Sequence, residues 1–105
     1  MMPGRIYLTA LIFFGLLSVP AHAETIQVII EKLVFSPVNV TAKVGDTVEW
    51  VNKDILAHTA TAASKDWDVM IGPKKTAQLV LKKAGTFDYI CRFHPNMKGR
   101  ITVTP

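Results

Sequence analysis

The chain has 105 residues, half of them hydrophobic, with twelve basic and eight acidic side chains, a net charge of +4 and a single cysteine. That length holds one domain and no more. The lysines are scattered along the sequence, which argues against a nucleic-acid surface and leaves at most a loosely acidic partner, and a lone cysteine excludes an internal disulfide.

The first stretch reads as an export signal. Met1 to Arg5 carries a positive charge, Ile6 to Val19 is mostly apolar and uncharged, and Ala21-His22-Ala23 is a small-x-small cleavage pattern. A retained membrane anchor is the alternative, but the apolar run is short for a span of about 20 residues, and Pro20 breaks it. The expected organisation is a signal peptide over 1–23, cleaved after Ala23, and one domain over 24–105, delivered to the periplasm without stable membrane attachment. Removing Arg5 leaves eleven basic against eight acidic residues, a mature charge of +3 on 82 residues. Domains this small often lean on a metal or on disulfides. An exported domain with one free thiol calls for intermolecular pairing, a reactive thiol or a metal.

After the signal the dominant period is two. Ile26, Val28 and Ile30 alternate with Thr25, Gln27 and Glu31; Val38, Val40, Ala42 and Val44 form a second run; Val48 and Trp50 follow. Ala77, Leu79 and Leu81, then Phe87, Tyr89 and Cys91, then Ile101 and Val103 complete the series. Such alternation places one face of each strand on a core and the other in water. Ser36-Pro37, Val44-Gly45-Asp46, Gly72-Pro73 and Ala84-Gly85-Thr86 supply the turns. Short strands at this spacing predict an all-β antiparallel sandwich or barrel. Asp54 to Ser64 is open between loop, strand and a short helical turn.

The chemistry gathers near the C-terminus. Cys91, His94 and Met97 stand at i, i+3 and i+6. A thiolate, an imidazole and a thioether within one tight loop describe a blue-copper site that lacks one histidine. The only other histidine after the signal is His58, which follows a predicted strand through a polar turn. A lone histidine there is ordinarily a surface or structural residue, Cys91 taken alone a small buried hydrophobe, and Met97 core packing. As a set the four residues form a complete His/Cys/His/Met donor group with nothing left over. Met70 reads as a core or rim residue.

Trp50-x-Asn52, His58-Thr59 and Gly85-Thr86-Phe87-Asp88-Tyr89-x-Cys91-x-x-His94-Pro95-x-Met97-Lys98-Gly99-x-Ile101-x-Val103 resemble the cupredoxins, and within them the amicyanin-like branch with its short Cys-x-x-His-x-x-Met loop. The resemblance implies an eight-stranded Greek-key sandwich with one copper at one end. It implies His58, Cys91 and His94 as strong ligands and Met97 as a weak axial one. Two departures stand out: Thr59 occupies the position where many cupredoxins carry an asparagine that ties the ligand loops together, and Trp67-Asp68-Val69-Met70 differs from the family's Gly-rich or Phe-containing segment.

Two imidazoles and a thiolate suit both copper oxidation states, as electron transfer requires. Cys91 ends the inward alternation of Phe87 and Tyr89, so its sulfur is expected at the mouth of the core. Pro95 stiffens the loop, and Gly99 is expected to let the chain turn into the last strand. Phe93, Pro95 and Leu56 are expected to form an apolar rim for brief docking near His94. The reading is a monomeric periplasmic electron carrier cycling Cu(II)/Cu(I), with a copper-handling protein as the alternative. Catalysis is not expected, because no acid–base pair or open coordination position is evident. Redox partners in the family are c-type cytochromes and methylamine dehydrogenase.

Overall fold

The structure, a computed structural model, describes residues 22–105. The export signal expected over 1–23 lies outside the described residues, apart from His22 and Ala23. Nine strands follow: β1 (Thr25–Glu31), β2 (Val34–Ser36), β3 (Asn39–Lys43), β4 (Thr47–Asn52), β5 (His58–Ala62), β6 (Asp68–Ile71), β7 (Thr76–Val80), β8 (Gly85–Ile90) and β9 (Lys98–Thr104). They form two sheets, one ordered β2-β1-β4-β7 and the other β3-β9-β8-β5-β6. β1 runs parallel to β4 and β3 parallel to β9, and the other pairings are antiparallel. No helix among the described residues is long and apolar enough to cross a membrane.

The period-two runs fill the space between the sheets. Val28 and Ile30 of β1, Val48 and Trp50 of β4, Phe87 and Tyr89 of β8, and Ile101 and Val103 of β9 are buried. Each such side chain contributes about 1.5–3 kcal/mol on leaving water. Aromatic rings form the centre. Trp50 and Tyr89 meet edge to face with centroids 5.7 Å apart, and Phe35 and Trp67 lie 4.8 and 5.5 Å from Tyr89. The Trp50 indole N–H donates to the Tyr89 hydroxyl at 3.2 Å, so the one polar tip of each ring is used inside the core. Burial pushes the Tyr89 phenol up to about 12, against the opposing pull of that hydrogen bond.

The nine-strand sandwich agrees with the all-β sandwich of about eight strands expected; the three-residue β2 lies outside the alternating runs. Several expectations need correction. The open segment Asp54–Ser64 contains a true strand, β5, whose burial is nearly continuous rather than alternating. Val38 and Val44 flank β3 and are exposed, leaving Val40 and Ala42 as its inward pair. Of the two readings of Met70, core or rim, the core one falls, because Met70 is exposed on the edge strand β6. Gly99 does not turn the chain. It lies within β9 opposite Tyr89, and a Cβ there would run into the Tyr89 ring. Close approach of an aromatic side chain, not backbone freedom, requires the glycine.

Candidate metal centre

Strand directions bring the donors to one end. β8 carries the chain to Ile90, β9 starts at Lys98 beside it, and β5 starts at His58 on the neighbouring strand of the same sheet. The connection between β8 and β9 therefore has to turn tightly. It does so with the Met97 N–H donating to the His94 carbonyl at 2.8 Å, the His94 N–H to the Cys91 carbonyl at 3.2 Å, and the Cys91 N–H to the Met97 carbonyl at 3.1 Å.

Within this frame one sulfur and two imidazole nitrogens converge. The donor atoms of His58, Cys91 and His94 all lie within 4.8 Å of one another. Cys91 Sγ is 3.7 Å from His58 Nδ1 and 3.6 Å from His94 Nδ1. His58 and Cys91 are fully buried, whereas His94 is partly exposed. Met97 is buried on the same loop, three residues beyond His94. A soft sulfur and two nitrogens at these spacings fit a thiophilic transition metal such as copper. The fit extends to the protons: His58 Nε2 meets Asp54 Oδ2 at 2.8 Å. Burial pushes the Asp54 carboxyl up, but the N–H groups of Lys32 and Leu33 and the His58 ring outweigh it and hold the acid below its ordinary range. An ionised carboxylate only accepts, so Nε2 carries the proton and Nδ1 presents its lone pair toward the sulfur.

The β4–β5 connection is held by Asn52. Its buried amide donates to the carbonyls of Leu56 and Gly72 at 2.8 and 3.0 Å, and its carbonyl accepts the Asp54 N–H at 2.9 Å. The turn leading to His58 is thereby fixed without any regular structure of its own.

Thr59 takes over the tying role in its own way. Its backbone N–H donates to Cys91 Sγ at 3.3 Å, and its hydroxyl accepts the Arg92 N–H at 2.8 Å. The hydroxyl proton passes to Thr61 Oγ1 at 2.9 Å, and Thr61 donates in turn to Asp68 Oδ1 at 2.7 Å. The Thr61 hydroxyl bond, opposed by burial and helped by Arg92, keeps Asp68 below the usual carboxylate range, so it accepts and sets the direction of the chain. The Arg92 guanidinium Nε closes the circuit on the same Asp68 oxygen at 3.3 Å. Asp54, Thr61 and Asp68 escaped the sequence reading. An acid four residues before His58 was the only available signal, and it points nowhere without a fold.

The three residues expected to form an apolar rim, Phe93, Pro95 and Leu56, are all exposed. Leu56 and Phe93 are each 49% exposed, and Ile55 and Leu33 join them at 78% and 43%. Leu33 borders the same surface hollow as His94, Pro95, Asn96 and Met97.

The cupredoxin-like domain model matches residues 4–103. Amicyanin-alpha of Methylorubrum extorquens is 34% identical over 89 residues, covering 79% of this chain and 75% of that protein. The methylamine utilization protein MauL of the same organism is 32% identical over 102 residues, covering 91% of this chain and 90% of its own length. Among solved structures, the reduced Cu(I) form of an amicyanin variant superposes with a TM-score of 0.68 at 32% identity, covering 81% of this chain and 85% of that chain. A two-sheet sandwich with this donor loop, matched along nearly its whole length, belongs to the cupredoxin-like family.

Proposed function

We propose that the chain is a periplasmic type 1 copper electron carrier, with no catalytic activity of its own, held at its metal by His58, Cys91, His94 and, weakly, Met97. The observation that carries this reading is the convergence of one thiol sulfur and two imidazole nitrogens within 4.8 Å at a mostly buried site. Copper in such a set supplies one-electron chemistry between Cu(II) and Cu(I). The protein's part is to keep the donors still. Asp54 orients His58, the Thr59 N–H supports the Cys91 sulfur, and three backbone hydrogen bonds close the Cys91–Met97 loop. Fixed donors keep the geometry common to both oxidation states, so little rearrangement opposes transfer. His94, the partly exposed member, is the route to a partner across the apolar rim. The likeness to amicyanin and to a methylamine utilization protein supports a c-type cytochrome or a methylamine-oxidising dehydrogenase as that partner. The Ala21-His22-Ala23 pattern supports export by a cleaved signal.

A copper-handling role would use the same donors, and Met97→Leu separates the two. A carrier keeps its visible band and shows a raised potential, since leucine donates nothing to Cu(II). A handler that depends on the thioether loses Cu(I) affinity. Cyclic voltammetry with a competitive Cu(I) titration reads both. An unchanged potential with a large loss of Cu(I) affinity would overturn the carrier reading.

A further inference from the structure

Four of the nine lysines, scattered in sequence, gather around one point of the fold. The Asp54 carboxylate accepts the Lys32 N–H at 2.8 Å, and its backbone carbonyl accepts the Lys74 N–H at 3.1 Å. Lys53 precedes Asp54, and its carbonyl accepts the Lys74 ammonium at 2.7 Å. Lys75 is one residue further, its carbonyl accepting the Asn52 N–H at 2.9 Å. All four lysines are exposed. Among the described residues none of them has a carboxylate within 4.0 Å.

The acids that would balance them are engaged or elsewhere. Asp54 itself faces His58. Asp66, Asp68 and Asp88 are each paired with their own cation, Lys83, Arg92 and Arg100. Glu31 is the one other exposed acid beside the group, next to Lys32 in the chain. Four lysines against Glu31 leave positive charge in excess on one flank of the metal end. That flank adjoins the apolar rim: Leu33 follows Lys32 and shares a hollow with His94, and the exposed Ile55 and Leu56 follow Asp54. On the other flank Arg92 is neutralised by Asp68 and lies over the Phe93 ring, which leaves Lys98 at the start of β9 as a single cation without an acid partner among the described residues, against four around Asp54.

We infer that Lys32, Lys53, Lys74 and Lys75 form the orienting half of a docking surface for an acidic redox protein, whose carboxylates meet the lysines while an apolar patch seats on Leu33, Leu56 and His94. The inference rests on the electron-carrier reading. Crowded ammonium groups raise the local potential, and a partner carrying carboxylates relieves it. The gain is in the rate and orientation of encounter, because exposed charges are screened and contribute little to affinity. A lysine patch weighted to one side of an apolar contact also fixes which way round the partner sits, which an uncharged apolar rim does not.

The test is stopped-flow electron transfer between the copper-loaded protein and two probes, a c-type cytochrome of net negative charge and one of net positive charge near neutral pH. Ionic strength is varied from about 0.01 to about 0.3 M, which shortens the screening length from about 30 Å to less than 10 Å. The acidic cytochrome is expected to react faster and to slow with salt. The triple variant Lys32→Gln, Lys53→Gln, Lys75→Gln should slow it about tenfold or more at low salt. The triple variant Lys43→Gln, Lys65→Gln, Lys82→Gln, which removes the same charge at the opposite end, should leave the rate close to wild type. Equal slowing in both variants, a rate indifferent to salt, or no reaction with the acidic cytochrome would overturn the patch. Voltammetry of the same samples keeps the two readings apart: a missing electrode wave in the wild type indicts the carrier reading, and a normal wave with an unaffected cytochrome rate indicts the patch alone.

Discussion

His58 Nε2 and Asp54 Oδ2 meet at 2.8 Å, and the same carboxylate accepts the N–H groups of Lys32 and Leu33 at 2.8 and 3.1 Å. Those two residues form the β1–β2 turn with φ of 55° and 62°. Both central residues of such a two-residue hairpin turn need positive φ. A side chain there costs about 1–2 kcal/mol, and charge-assisted hydrogen bonds from the turn amides offset it. One acid thus holds the strained Lys32–Leu33 turn and orients the His58 imidazole.

Asp54→Ala is therefore expected to lower metal affinity about 10–100-fold, as removal of an outer partner of a histidine ligand does. Competition titration with Zn(II) and Cu(II) measures it. The nitrogen NMR shifts of His58 in the metal-free protein should show the Nε2–H form giving way to a mixture. An unchanged affinity and an unchanged tautomer would show that Asp54 serves the turn only.

Thr59→Val keeps the side-chain shape and removes the hydroxyl. The Arg92 N–H loses its acceptor, at a cost of about 1–3 kcal/mol, and the link between β5 and the Cys91–Met97 loop is cut. Denaturant unfolding should report the loss, and hydrogen exchange at the Arg92 amide should speed up while exchange in β1 does not. Thr59→Ser should restore the slow exchange. If Thr59→Val protects Arg92 as well as wild type does, the circuit through Thr61 and Asp68 does not hold the loop.

The sandwich and the donor loop were legible because each is local. Period-two burial in β1, β4, β8 and β9 follows directly from Ile26 to Ile30, Val48 to Trp50, Phe87 to Tyr89 and Ile101 to Val103. Cys91, His94 and Met97 carry their spacing in the sequence. β5 hid because His58, Thr59, Ala60 and Ala62 are all buried, Thr59 against the Cys91 sulfur and the Arg92 amide, so it shows no alternation. β6 is a four-residue edge strand with a single buried residue, Ile71, too short a pattern to read. Asp54, Thr61 and Asp68 matter only through partners up to 24 residues away, and such pairings exist after folding, not before.

The start of the domain carries a pH signature. Asp46 is nearly covered, and its carboxylate accepts the N–H of Glu24 and of Lys43, each at 2.9 Å. These two bonds outweigh burial and hold Asp46 below its ordinary value of 3.8. A carboxyl depressed in the folded state adds stability that is fully present above the unfolded value and is lost as pH falls through the folded one. Asp46→Asn should be less stable than wild type at neutral pH, and the gap should close as the pH drops below about 4. Cleavage after Ala23 would turn the Glu24 nitrogen into an ammonium facing this carboxylate, so the substitution should cost the 24–105 form more than a form that keeps Ala23. Chemical denaturation across pH measures both. A gap that stays constant down to acid pH would remove Asp46 from the account.

The visible absorption spectrum of the Cu(II)-loaded 24–105 protein, beside that of Cys91→Ser, tests the central claim most directly. A buried thiolate held with the Nδ1 atoms of His58 and His94 predicts an intense sulfur-to-copper charge-transfer band in the wild type and its loss in the variant. A folded wild-type protein that binds Cu(II) and stays colourless, or a band that survives in Cys91→Ser, would contradict it.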